Sequence, residues 1–206
     1  MSDQESGDQD EKLQGDGRLV IVSGPSGVGK GTLLREVFAD SPVPLVASVS
    51  ATTRSPRPGE VDGTHYHFLS SEEFETKRLK GDFLECFEVF RGGHWYGTLN
   101  AEVEAAVRAG KWIVLEIDVQ GALAVMERHP EAISIFIRVE SMEELERRLR
   151  GRGTEAEEAV QRRLAQAGEE MTFADQYRHY VVNDDLTQAA ERFRDILKKY
   201  RDSNHV

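Results

Sequence analysis

The chain has 206 residues, 39% of them hydrophobic and 31% charged, a balance that suits one compact domain with a proper core. Its formal net charge of −11 argues against a long nucleic acid as partner, because such binding rests on a basic face. No apolar run nears the ~20 residues of a membrane span. The N-terminus carries no secretory pattern and the single cysteine, Cys86, cannot close an internal disulfide, so the cytoplasm is the expected compartment.

Residues 1–17 hold Asp, Glu, Gln, Ser and Gly with almost nothing apolar, and are predicted to form a disordered acidic tail. An apolar run follows, Leu19-Val20-Ile21-Val22, then Gly24-Pro25-Ser26-Gly27-Val28-Gly29-Lys30, then a helical pattern from Thr32 that ends near Asp40. Strand, glycine-rich turn and helix are the context of a phosphate-binding P-loop. Its backbone N–H groups turn inward around an anion, the helix N-terminus adds its positive dipole end, and Lys30 adds a full charge. The hydroxyl residue expected directly after the lysine is Gly31 here, with Thr32 one place later. In the general motif that hydroxyl holds Mg²⁺. Water, Thr32 or nucleotide phosphates must therefore fill the metal's shell, and no direct side-chain ligand is assigned. The Gly-Lys-Gly-Thr variant resembles one used among nucleoside monophosphate kinases.

Leu45 to Val49 reads as a second buried strand leading into Ser50-Ala51-Thr52-Thr53-Arg54. From about Ser50 to Thr98 the β-α-β rhythm lapses, which marks an inserted subdomain over 50–98. Arg54 and Arg57 sit three apart on a proline-stiffened loop, where two planar guanidinium groups make an anion clamp or stay solvated. His65 and His67 are spaced by two without a nearby third ligand, a weak metal signal. Tyr66 between them, and Tyr96 before Gly97-Thr98, offer either a hydroxyl to a phosphate or a ring to the packing. Tyr66 to Leu69 resembles a short strand, and Ser70 with Glu73 forms a capping box for a helix to about Lys80, stopped by Gly81. Phe83 to Phe90 alternates as a half-exposed strand that puts Glu85 and Glu88 on one face. Either carboxylate is a candidate reader of guanine, whose ring N–H and exocyclic amine form a donor pair that adenine lacks; either is equally a solvent-facing charge.

The rhythm returns at Asn100, predicted as the N-cap of a helix to Ala109. Trp112 to Asp118 reads as a strand ending in a carboxylate, either a Walker B acid or an ordinary helix cap. A helix from Val119 to Arg128 and a strand from Ala132 to Val139 follow, and Ser141 with Glu144 caps a helix to about Arg150. Arg147, Arg148, Arg150, Arg152, Arg162 and Arg163 cluster around Gly151 and Gly153. This is a solvated basic face or a mobile lid that closes arginines over phosphates. Thr154 with Glu157 is expected to cap a long helix. His179 to Val182 is the last strand, and Leu186 to Tyr200 the closing helix. Five apolar strands separated by helices predict a parallel five-stranded P-loop NTPase-type sheet, covered on both faces, with ligands beyond the strands' carboxyl ends.

Six stretches together resemble the guanylate kinase family: 24–30, Ser-Ala-Thr-Thr-Arg-Ser-Pro-Arg-Pro-Gly-Glu at 50–60, Tyr96-Gly97-Thr98, Asp118-Val119-Gln120-Gly121, Gly-Arg-Gly-Thr at 151–154, and Val182-Asn183-Asp184-Asp185. The resemblance implies a CORE of 18–49, 99–140 and 166–206, a GMP-binding part of 50–98 and a helical LID of 141–165. It implies transfer of the γ-phosphate of ATP to GMP with Mg²⁺. Gly24, Pro25, Ser26, Gly27, Val28, Gly29, Lys30, Gly31 and Thr32 would hold ATP, with Asn183 by the adenine. Arg54, Arg57, Tyr66 and Tyr96 would hold the GMP phosphate; Ser50, Glu85 and Thr98 would meet the guanine, Glu88 being the alternative to Glu85; and Asp118 would lie near base and metal. Lys30, Arg54, Arg148, Arg152 and Arg163 would act on the transferring group. The stretch Arg91-Gly92-Gly93-His94-Trp95 is longer than the family's. Two other readings stand beside this one: a kinase of a different small phosphate such as a ribose bisphosphate, and a phosphopeptide-binding module built on the same fold.

Overall fold

The structure, a computed structural model, describes residues 13–89, 93–151 and 157–203. Nine strands and seven helices run through them in the order β1 (Arg18–Ser23), α1 (Lys30–Ala39), β2 (Leu45–Ala47), β3 (Ala51–Thr52), β4 (His67–Phe68), α2 (Ser71–Leu79), β5 (Phe83–Val89), β6 (His94–Leu99), α3 (Asn100–Arg108), β7 (Trp112–Glu116), α4 (Val119–Arg128), β8 (Ile133–Arg138), α5 (Met142–Arg150), α6 (Glu157–Met171), β9 (His179–Val182) and α7 (Leu186–Asp202). The predicted five-stranded sheet is present in the order β2-β7-β1-β8-β9, all pairs parallel.

The two-residue period of a strand explains how one sheet feeds two cores. Val20 and Val22 of β1 pack with Leu33, Leu34 and Val37 of α1 and with Phe193 and Leu197 of α7. The alternate residues Leu19 and Ile21 pack on the other face with Val103 and Val107 of α3 and Val119 and Val125 of α4. Each large apolar side chain so buried stabilises the fold by roughly 1.5–3 kcal/mol before entropy.

A second sheet, β4-β3-β6-β5, lies within residues 51–99, with β3–β6 and β5–β6 antiparallel. It has its own small core of Ala51, Phe74 and Phe83, the two rings stacked at 4.4 Å. Ser70 and Glu73 form the reciprocal capping box of α2. Ser141 caps α5 through the Glu144 N–H.

Several elements differ from expectation. The tail reading covers 1–17; residues 1–12 of it lie outside the described residues, while Gly17 donates its N–H to Val107 O at 3.1 Å and Leu13 packs against the core. β2 is a three-residue edge strand, half-buried at Leu45 and Val46, because only β7 flanks it. Asn100 is not an N-cap: it is the first residue of α3, and its side-chain amide donates to Gly81 O at 2.9 Å, tying the helix start to the second sheet. A bulge between Phe83 and Glu85 breaks the alternation of β5, so Leu84 and Glu85 are both buried. β7 ends at Glu116, and Asp118 stands outside it as the N-cap of α4. Thr154 and Arg152 lie outside the described residues, as do Phe90, Arg91 and Gly92.

Candidate functional site

The carboxyl ends of the parallel strands converge on one region. Gly24 follows β1, Ser48 follows β2 and donates to Val114 O, Ile117 follows β7, and Asn183 follows β9. A single cavity of about 660 Å³ opens there, within the range of small-ligand sites. Gly24, Ser26 and Lys30 of the P-loop line it, and so do Ser50, His65, Tyr66 and Glu88 of residues 50–98. Glu116, Asp118 and Gln120 from the end of β7 and the start of α4 also line it, and Gln166, Glu170 and Phe173 enter from α6 and the turn after it.

The P-loop end is built by backbone. Gly24 has φ 142, and a Cβ there would stand 2.0 Å from Ile137 O, so only glycine lets the turn leave β1 this close to β8. Gly29 is the left-handed N-cap of α1 and supplies no side-chain cap, which leaves the first N–H groups of the helix for an anion. Lys30 folds back over the loop and donates from Nζ to Gly24 O at 2.6 Å and Pro25 O at 3.1 Å. Burial lowers its pKa, while Glu116, Glu170 and Asp118 pull it upward. Burial likewise raises Glu116 and Glu170, each opposed by Lys30. The Ser26 backbone and the Gln166 amide, at 2.8 Å, hold the Glu170 carboxylate. Thr32 is exposed and its hydroxyl accepts from Arg35 at 3.2 Å.

Two of the expected lid arginines reach this loop. Arg163 donates from Nη2 to Ser26 Oγ at 2.9 Å. Arg148 donates to Asn183 O at 2.8 Å and pairs with Glu144 at 2.6 Å. The buried Asn183 side chain donates to Val28 O at 2.8 Å, so α5, β9 and the P-loop meet at one point. Arg147 and Arg150 instead pair with Glu144, Glu146 and Glu157 at the surface, and Arg162 is exposed. The expectation for Arg152 lies outside the described residues.

Behind Tyr66, and not themselves lining the cavity, stand Arg54, Glu60 and Tyr96: Arg54 is held by Glu60 through two N–H groups at 2.9 and 3.0 Å and donates to Tyr96 Oη at 3.2 Å. Its guanidinium stacks over the Tyr66 ring at 5.3 Å, and Tyr66 meets Tyr96 edge-on at 5.9 Å. The hydrogen bonds from Arg54 hold the Glu60 carboxyl at about 2, so the pair stays charged at any working pH. Arg57 is exposed and does not line the cavity; its backbone N–H donates to Glu60 at 2.7 Å.

Glu85 and Glu88 do not share a face. Glu85 lies opposite Thr98 and is buried, accepting from the Thr98 hydroxyl at 2.7 Å; Glu88 lies opposite Trp95 and is exposed, at the cavity rim. Burial pushes the Glu85 carboxyl up to about 7, Asp118 adding to the rise and Thr98 opposing it. A Cβ on Gly121 would stand 3.1 Å from Glu85 Oε2 and 3.3 Å from Asp118 Oδ1, so the glycine keeps open the space that both carboxylates face. Asp118 also caps α4 by accepting from Gly121 N at 2.7 Å, so the cap reading and the site reading of this residue are compatible.

Sequence reasoning misses Glu116 and Glu170. A charged residue closing the apolar run of β7 is a usable signal for Glu116. Glu170 carries none, since it is one of four glutamates on α6 that a helical pattern leaves equivalent, and only the packing of α6 on the P-loop singles it out.

Comparison with known proteins bears on the same residues. Residues 16–200 match the guanylate kinase family. The guanylate kinase of Rhodopirellula baltica is 49% identical over 90% of this chain and 89% of its own length. That of Rubrobacter xylanophilus is 50% identical over 89% of this chain and 94% of its own. Among solved structures, the guanylate kinase from Anaplasma phagocytophilum superposes with a TM-score of 0.70 at 35% identity, covering 91% of this chain and 88% of that one.

Proposed function

This chain belongs to the guanylate kinase family, and we propose how its residues carry out that family's reaction, the transfer of the γ-phosphate of ATP to GMP. The observation that carries the assignment is one cavity lined both by Lys30 and the P-loop and by Ser50 and Tyr66. One such space brings two nucleotides together by their phosphates.

Phosphoryl transfer through a loose transition state is mostly positioning and charge neutralisation, so no general base with a tuned pKa is required. Residues 24–32 seat the ATP phosphates, and Lys30 leaves the Gly24 and Pro25 carbonyls to meet them. Asn183 lies by the adenine. Ser50, Glu85 and Thr98 meet the guanine edge, with Asp118 beside them. Arg54, Arg57, Tyr66 and Tyr96 take the GMP phosphate. Arg148, Arg152 and Arg163, on a lid of 141–165, close over the transferring group against a core of 18–49, 99–140 and 166–206. Residues 50–98 form the GMP-binding part. Closure of both parts excludes water as a competing acceptor.

The donor set suits Mg²⁺, which takes one or two carboxylates plus phosphates and water rather than a full protein cage. Glu116 and Asp118 are the carboxylates that would hold it: Glu116 Oε2 lies 4.0 Å from the position of a Cβ on Gly31, and both groups face Lys30. Among the described residues no three or more of His, Cys, Asp and Glu gather as a metal cluster. When bound, the ion supplies charge neutralisation on the phosphates. Among the described residues no helix is long and apolar enough to cross a membrane. The single cysteine supports a cytoplasmic location, and the net charge of −11 supports small nucleotides rather than nucleic acid as substrates.

Arg57→Ala tests the acceptor end. It is expected to raise KM for GMP by about ten-fold, as loss of a charge-assisted phosphate contact does, and to leave KM for ATP nearly unchanged. Initial rates with each nucleotide varied in turn measure both. Equal changes for the two nucleotides contradict the assignment of Arg57.

A further inference from the structure

Glu60 is a carboxylate inside a loop read as a phosphate clamp, and its partners show what it does there. A guanidinium has five N–H donors. In Arg54, Nε is given to Tyr96 Oη, Nη1 to Ser55 O at 2.7 Å and to Glu60 Oε2, and Nη2 to Glu60 Oε1. One N–H on Nη2 is left, which excludes a two-pronged grip on a phosphate. The side chains of Arg54 and Glu60 are only 12% and 18% exposed. The guanidinium also lies against the neighbouring Tyr66 and Phe68 rings, at 5.3 and 5.8 Å. Glu60 also closes the turn that carries Arg57: its N–H donates to Arg57 O at 3.0 Å, its Oε2 accepts from Arg57 N at 2.7 Å, and Gly59 at φ 87 allows the fold-back.

The geometry points to Glu60 as a positioning residue for the acceptor phosphate, acting through Arg54 on the Tyr96 hydroxyl and through the Arg57 backbone on the second arginine. The inference rests on reading residues 50–98 as the GMP-binding part. Because Tyr96 Oη accepts from Arg54 Nε, its own hydrogen is turned away from Arg54 and is available to an anion. The charge of Arg54 stands behind that hydroxyl and polarises it. Without Glu60 the guanidinium loses its fixed plane, Tyr96 loses its directional partner, and the Arg57 turn loses its anchor. The opposite role would be that of a competitor, a carboxylate that the incoming phosphate must displace. The two roles predict opposite signs for the same substitution.

The test compares Glu60→Ala and Glu60→Gln with the unaltered protein, using calorimetric binding of GMP and of guanosine, together with kcat and both KM values. Guanosine keeps the base and lacks the phosphate, so it separates phosphate positioning from general loosening of the loop. Expected is an approximately ten-fold weaker GMP affinity for Glu60→Ala, a smaller loss for Glu60→Gln, which keeps one acceptor oxygen, and unchanged guanosine binding and KM for ATP. Tighter GMP binding would make Glu60 a competitor; equal losses for GMP and guanosine would reduce it to a structural tie; unchanged GMP binding would remove it. Each of these overturns the proposal. Arg57→Ala measured alongside separates it from the underlying reading: if that variant weakens GMP and Glu60→Ala does not, Glu60 alone fails, and if neither does, loop 54–60 is not the phosphate clamp.

Discussion

Lys30→Ala is expected to lower kcat by about a hundred- to a thousand-fold, the cost of removing one preorganised charge from a transition state, while the fold survives. Lys30 is the first residue of α1, and its ammonium is buried among Glu116, Glu170 and Asp118. Those carboxylates are tolerable beside phosphates only while a cation answers them. With alanine at this position the γ-phosphate enters a cavity that repels it, and the loss falls on the charge-developing step. The unit itself is held elsewhere, by Val28, Leu33, Leu34 and Val37 in the core beneath it. Lys30→Met serves as a control that keeps the stem's volume without the charge. Turnover at saturating nucleotide and a thermal melt measure the two halves of the expectation, and near-normal turnover would remove Lys30 from the mechanism.

Glu85→Gln is expected to change recognition and stability in opposite directions. The guanine edge offers two N–H donors, which an ionised carboxylate accepts and an amide meets with one acceptor and one opposing donor. KM for GMP should rise by about a hundred-fold, as the loss of one hydrogen bond to a charged, buried group together with a donor facing a donor implies. Stability moves the other way. The Glu85 carboxyl is raised from 4.5 to about 7, chiefly by burial. Between these values the folded chain holds a proton that the unfolded chain has lost, so stability falls as pH rises through that window and stays lower above it. The penalty at pH 8 is at most about 3 kcal/mol, and the substitution relieves part of it, so the variant should melt higher at pH 8 and about the same at pH 4. The unaltered enzyme should show KM for GMP falling by about ten-fold from pH 6 to pH 8 as Glu85 ionises. The variant should keep only the smaller part that comes from the phosphate's own ionisation. A variant that melts lower at pH 8, or that binds GMP as well as the parent, would place Glu85 outside the guanine site.

Local signals read well from the chain. The P-loop, the Ser70 and Ser141 caps and the five parallel strands all depend on neighbours within a few residues, where spacing and residue type decide the outcome. What escaped depends on distant partners. The apolar run at Leu45 to Val49 looks like a core strand, but its place at the sheet edge is set by the strand order, which no local pattern encodes. Glu85 and Glu88 look equivalent until the bulge and the pairing with β6 bury one and expose the other. Asn100 has the chemistry of an N-cap, but Gly81, brought near by the β5–β6 pairing, offers its amide another partner. Arg54 and Arg57 look alike as a clamp, and only the position of Glu60 shows that Arg54 is nearly saturated while the Arg57 side chain stands exposed. Glu170 required the α6–P-loop contact to be seen at all.

A coupled assay of ATP consumption, with GMP, AMP, CMP or a ribose bisphosphate as the only acceptor, tests most directly whether one cavity joins an ATP site to a guanine site. Turnover with GMP at least about a hundred-fold above each alternative is expected, the discrimination that a site built to hydrogen-bond the correct base achieves. Comparable consumption with all four acceptors, or none with any of them, would contradict it.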